Sequence, residues 1–383
     1  MIGVILFWLS LLLLGWTFFF YPATMLFLSR IRPKPWQQEV YRGKVSMIVA
    51  AHNEEEIIRE KVENCLRVDF GEADHEIIVV SDGSTDATND ILAEFDGTDT
   101  PGRRLKICTY QPRAGKANAL NVGVRESAGD ILLFSDANVI LDDDAPARLL
   151  MPFADPQVGA VCGRVLVRGR GEDEIAGESL YMKIEGMIQR AEAGFGNMVG
   201  IDGALFALRR QLFRPLAKNL ILDDFALAME AVLAGQRIVY ADQARAVEEV
   251  EASTANEFRR KSRIIAGGYQ YLAWLVKERK KMAPAPLFSF VSRKVLRWLA
   301  PLFMIGAFAA NVFLARVFPY SFLLAGQVIF YSLAVAGYLI PNLRTSYLFY
   351  LPYYFCSINM ASLVGLLRFF AKRQDILWDK VNR

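Results

Sequence analysis

From Ile2 to Ser29 the chain carries no charged residue, and a helix of that length rises about 40 Å, enough to cross a hydrocarbon layer about 30 Å thick with some tilt. It lacks the basic start, short apolar core and small-residue cleavage site of a secretory signal, and continues through Tyr21-Pro22. Residues 1–29 are therefore expected to be a retained transmembrane helix. Arg30, Arg32 and Lys34 follow at once, and the positive-inside bias places what comes after them in the cytoplasm.

The chain becomes apolar again after about Lys281. Trp298 to Leu314, Ser321 to Ile340 and Tyr347 to Leu367 suit three further spans, a C-terminal bundle over residues 297–367. Just before them, Pro284 to Val295 mixes Phe288, Phe290 and Val291 with Arg293 and Lys294, the pattern of a separate interfacial helix over 284–296. One span plus three would put both termini outside, whereas Arg368, Lys372, Arg373, Lys380 and Arg383 argue for a cytoplasmic tail over 368–383. The charges weigh slightly more, which makes one C-terminal segment re-entrant or the span count wrong. With 53% hydrophobic residues, the whole reads as an integral protein of a bacterial-type inner membrane, in contact with membrane lipids.

Between the spans lies a different kind of chain. Its 44 basic and 41 acidic residues nearly cancel overall, so there is no bulk basicity of the sort that would make nucleic acid a partner. Cys65, Cys108, Cys162 and Cys356 share no short spacing, and the only histidines, His52 and His75, lie far from any cysteine pair that could complete a zinc site. Short β-branched runs at Val45 to Ala51, Glu76 to Ser81, Leu105 to Thr109, Ile131 to Ser135 and Val158 to Val167 alternate with helical patterns near Glu54 to Leu66, Asp86 to Glu94, Lys116 to Glu126 and Glu172 to Glu192. That alternation predicts an α/β domain over residues 42–275, cytoplasmic, with a mostly parallel sheet flanked by helices. In such sheets functional loops gather at the carboxyl ends of the strands.

Each of the first four strands ends in a polar cluster. In Ala51-His52-Asn53-Glu54-Glu55-Glu56, Asn53 is placed to cap the next helix, which explains most of the run. Ser81-Asp82-Gly83-Ser84-Thr85-Asp86 holds more than a cap needs, and an acid at a strand tip can accept hydrogen bonds from a base edge or ribose. Arg113-Ala114-Gly115-Lys116 sets two cations around a glycine at a helix opening, a plausible anion site. Asp136 and Asn138, two residues apart at the fourth strand's end, could chelate a hard divalent cation such as Mg2+ or Mn2+, with diphosphate and water completing its shell.

In this order the motifs resemble those of family 2 glycosyltransferases, inverting enzymes of GT-A fold, over roughly Lys44 to Gln270. The resemblance implies a nucleotide-sugar donor, most commonly a UDP-sugar, and a Rossmann-like sheet. Glu54 and Asp82 would hold the uridine, Arg113 and Lys116 would lie near the donor, and Asp136 would open the metal-binding DxD, whose third position is here the uncharged Asn138. Gly203 to Arg209 resembles the segment that shapes the acceptor pocket, or is simply a buried strand or turn. Asp223-Asp224 resembles the family's TED or EDD motif, which makes Asp224 the base that deprotonates the acceptor hydroxyl. Arg263 matches the arginine of QxxRW, with Arg260 and Ile264 where glutamine and tryptophan usually stand. Arg263, joined by Arg260, would then contact the diphosphate as negative charge builds on the departing group, a catalytic role. The acceptor implied is a glycan or a lipid-linked sugar, as in bacterial polysaccharide synthases. Asn311, Gln327 and Asn359 could line a path through the bundle or hydrogen-bond helix to helix. A chain that keeps the fold only to bind sugar nucleotides, as a scaffold or transport subunit, is the competing reading.

Overall fold

The structure, a computed structural model, describes residues 1–95, 104–169, 176–250 and 254–371. Of the basic tail, Lys372, Arg373, Lys380 and Arg383 lie outside the described residues, as does the expected start of a helix at 172–175. The strands are β1 (Lys44–Ala51), β2 (Asp74–Asp82), β3 (Arg104–Tyr110), β4 (Ile131–Asp136), β5 (Val139–Leu141), β6 (Val158–Gly169), β7 (Leu205–Arg209) and β8 (Arg237–Val250). The helices used below are α1 (Ile2–Ile31), α2 (Ile58–Arg67), α3 (Thr88–Ala93), α4 (Lys116–Arg125), α5 (Ala145–Leu150), α6 (Ala176–Phe195), α7 (Asp223–Leu233), α8 (Thr254–Lys277), α9 (Pro284–Leu314), α10 (Tyr320–Leu339) and α11 (Tyr347–Phe370).

The strands form one sheet in the order β3-β2-β1-β4-β7-β6-β8-β5. Because side chains alternate across a strand, Ile48 and Ala50 of β1 join Ile78, Val80, Leu132 and Phe134 in one buried layer, while Met47 and Val49 join Ile77, Val79 and Leu133 in the other. Both faces are covered, which is why these strands read as continuous apolar runs. Strands β3, β2, β1 and β4 are parallel, as predicted. The sheet as a whole is mixed, however, because β7 runs antiparallel to β4 and β6, and β5 antiparallel to β8. Pairing direction depends on how the chain returns to the sheet, and an apolar run of five residues carries no trace of it.

Among the described residues four helices are long and apolar enough to cross a membrane: α1, α9, α10 and α11. Residues 284–296, expected as a separate interfacial helix, instead run without a break into the following span as the 31-residue α9. Its basic residue Arg293 is only 3% exposed, paired with Glu185 at 2.5 Å and with Glu192, both on α6, while Tyr21 of α1 also donates to Glu192. The mixed apolar and basic pattern is thus satisfied by acids of the sheet domain, and the same cluster seats α1 and α9 against it. Within the bundle the side-chain amides of Asn311 and Gln327 meet at 2.9 Å, and the Asn359 amide donates to the Phe355 carbonyl one turn earlier at 2.8 Å. The first contact joins α9 to α10 and matches the helix-bonding alternative, whereas the second stays within α11.

Candidate active site

Parallel register puts the tips of β1, β2 and β4 on one rim, with Ala51 opposite Ser81 and Ala50 opposite Asp136. Antiparallel β7 begins at that same rim, and the Asp136 N–H donates to the Ala204 carbonyl at 3.3 Å. The loop before β7 and the start of α7 therefore arrive beside the strand tips.

At the β1 and β2 tips the side chains serve mainly one another. Asn53 does not cap α2, which starts at Ile58. It takes up a positive φ of 53°, tolerated by asparagine, and its Oδ1 accepts from the Thr85 N–H at 2.8 Å. Glu54, 1% exposed, takes the hydroxyl of Thr88 on its backbone N–H at 2.8 Å. Asp82 is equally buried, and its carboxylate accepts from the Tyr110 hydroxyl at 2.8 Å and from the N–H groups of Ala114 and Gly115 at 2.7 and 2.8 Å. The anion at the opening of α4 is thus the protein's own Asp82. Gly83 allows this approach, since at its φ of +59° a Cβ would lie 2.7 Å from the Arg113 Cα.

Lys116, the first residue of α4, reaches the other way. Its Nζ lies 2.7 Å from Asp136 Oδ1 and 3.7 Å from Asp223 Oδ2. Burial works against its charge, but the carboxylates of Asp136, Asp223 and Asp224 outweigh it and hold the ammonium well above its ordinary range. Asp224 accepts from the Phe225 N–H at 2.6 Å. Desolvation, then the like charge of Asp223, push its carboxyl up to about 7, with Lys116 opposing. A Cβ on Gly203 would come within 2.8 Å of the Asp224 Cβ and closer still to its carboxylate. Overpacking of that kind costs about 1–3 kcal/mol, so Gly203→Ala is expected to lower turnover about tenfold or more with nucleotide affinity unchanged, as steady-state rates and calorimetry would show.

Two acids that the sequence reading passed over join the rim. Asp202 accepts from the Ala204 N–H at 3.2 Å, and Glu248 on β8 accepts from the Asn138 amide at 3.0 Å. Burial raises both carboxyls, and Arg260 of α8 opposes that rise in each. Arg260 is thereby brought to the cluster, while Arg263 makes no hydrogen bond or ion pair among the described residues. Signals for both acids existed. Asp202 directly precedes the Gly203 segment, and Glu248 shares a strand face with the buried Ala244 and Ala246 by alternation.

Asp136, Asn138 and Glu248 offer hard oxygen donors of the kind Mg2+ or Mn2+ takes. Among the described residues no group of three or more acids, histidines or cysteines could hold a metal unaided. The donor set fits a cation shared with a diphosphate better than a closed protein cage.

Residues 46–216 match the family model described as glycosyl transferase family 2. The poly-beta-1,6-N-acetyl-D-glucosamine synthase of Staphylococcus epidermidis is 26% identical over 249 residues, 62% of this chain and 58% of that protein. The same-named synthase of Staphylococcus aureus strain COL is 27% identical over 235 residues, 60% of this chain and 55% of that one. The chain thus spans little more than half the length of these curated relatives. Among solved structures, a mannosyltransferase from Pyrobaculum calidifontis in complex with GDP-Man and Mn2+ superposes with a TM-score of 0.71 at 22% identity, covering 96% of this chain and 100% of that one. The fold is thus shared over almost the entire length, and the strand-tip motifs fall within the stretch that matches glycosyl transferase family 2, between helices of membrane-spanning length.

Proposed function

We propose that this chain transfers a sugar, with inversion, from a nucleotide-sugar donor to a polysaccharide or lipid-linked acceptor at the cytoplasmic face of a bacterial-type inner membrane. The observation that carries the reading is the Lys116 ammonium. It lies within 2.7 Å of Asp136 and 3.7 Å of Asp223, so that an acid suited to the donor's diphosphate and an acid pair suited to acceptor activation meet across one side chain. In the reaction Asp224 takes the proton of the acceptor hydroxyl, whose oxygen bonds to the anomeric carbon as the bond from that carbon to the diphosphate oxygen breaks. Lys116 and Arg260 are the cations placed to offset charge gathering on the departing nucleoside diphosphate. A divalent cation held by Asp136, with Asn138 and Glu248 beside it, would neutralise diphosphate charge. Membrane anchoring suits an acceptor that stays at the bilayer, and Arg30, Arg32 and Lys34 support a cytoplasmic domain.

A UDP-sugar is the expected donor, and the Pyrobaculum calidifontis mannosyltransferase bound to GDP-Man makes a GDP-sugar the natural competitor. Full-length protein in lipid nanodiscs, given UDP- and GDP-sugars with Mn2+ and membrane lipid, should release nucleoside diphosphate from one of them. Sizing the product separates polymer from single addition. No release from any donor, with nucleotide binding intact, would favour the scaffold reading instead.

A further inference from the structure

Lys61 is a charged residue in an apolar interior. It lies on α2 with no exposed surface, among Ile58, Val62 and Cys65, beneath the face of the sheet opposite Lys116's helix. A methionine there would fill similar space with no ammonium to desolvate. What the ammonium does instead is hydrogen-bond at 2.7 Å to the Ser135 hydroxyl and at 2.5 Å to the Val139 carbonyl. Those two residues flank Asp136-Ala137-Asn138. One turn further along α2, Asn64 donates to the Leu141 carbonyl and accepts from the Leu141 N–H, both at 2.9 Å, and so pins β5 behind the turn. Helix α2 thus grips both sides of the Asp136–Asn138 turn, through the Ser135 hydroxyl before it and the Val139 carbonyl after it.

We propose that Lys61 is a positioning residue that holds the Asp136–Asn138 turn in the geometry that receives the donor's cation-bound diphosphate. This rests on the glycosyl-transfer reading. Ligands without a diphosphate or metal do not depend on that turn, so the effect should divide the nucleotide into two parts.

The test is calorimetry on full-length protein in nanodiscs, with UDP and GDP in the presence of Mn2+, and with UMP and GMP in EDTA. Lys61→Met should weaken binding of the Mn2+-diphosphate about tenfold or more, the usual loss when a group supporting metal ligands is removed, with monophosphate binding unchanged. Ser135→Ala, a change too small to threaten folding, should weaken the same binding about threefold by withdrawing one of the two anchors. If Lys61→Met does not fold, Ser135→Ala decides alone. Asp136→Ala is run alongside. Should it lose Mn2+-diphosphate binding while Lys61→Met and Ser135→Ala bind as the parent does, the positioning role is wrong and the site reading stands. Equal losses of monophosphate and Mn2+-diphosphate binding would mark Lys61 as merely structural. Unchanged binding in Asp136→Ala would sink the site reading and this role with it.

Discussion

Asp224→Asn should lower turnover about a thousandfold and leave nucleoside diphosphate affinity within about twofold of the parent, because general-base catalysis supplies rate and not donor binding. The amide keeps the volume and can still accept from the Phe225 N–H, so the start of α7 should be undisturbed. A base works only when deprotonated. With burial and Asp223 raising the Asp224 carboxyl to about 7, the rate should climb as pH rises through that value and be lost below it. Asp223→Asn removes the like charge, and the acidic limb of the profile should move to lower pH. Turnover in Asp224→Asn near the parent's would remove this residue from the role, and an acidic limb unmoved by Asp223→Asn would remove the coupling.

The parts legible in the sequence were those with a local signature. Strands β1, β2 and β4 are buried on both faces and announce themselves as apolar runs, and the acids at the tips of β2 and β4 stand out because a strand end needs at most one capping group. Asp82 and Asp136 were found this way, and the structure brings them to one rim with Asp224. Their partners were not legible, since hydrogen bonds between loops 30 residues apart leave no periodic trace. Arg113-Ala114-Gly115-Lys116 looked like an anion site, and it is one, but for Asp82. Asn138 was expected to face a cation, and the Glu248 to which its amide donates stands beside it through the β5–β8 pairing, a strand pair that three residues of β5 could not advertise. Lys61 was missed for a subtler reason. Ile58, Lys61, Val62 and Cys65 fall at i, i+3, i+4 and i+7, so the spacing placed the lysine on the buried stripe of its helix, and only its charge suggested a solvated face.

Lys116→Met should be the most damaging single change on the donor side of the site. The ammonium's side chain is 23% exposed and faces Asp136 and Asp223, which are 27% and 12% exposed. Removing one partner of such a buried pair leaves carboxylates without compensation and costs about 3 kcal/mol, which thermal unfolding should register. The catalytic loss should be larger than that instability explains. One preorganised cation is withdrawn from the departing diphosphate, an effect of about 100-fold to 1,000-fold in kcat/KM. Asp224 also loses the charge that holds its carboxyl down, so the acidic limb of the rate should move to higher pH, opposite in sign to the shift in Asp223→Asn. That opposition separates the electrostatic bridge from simple damage, because a loosened fold would lower the rate in both variants without moving their profiles apart. Parallel shifts, or a Lys116→Met protein with the parent's kcat/KM, would show that the two halves of the site do not communicate through this side chain.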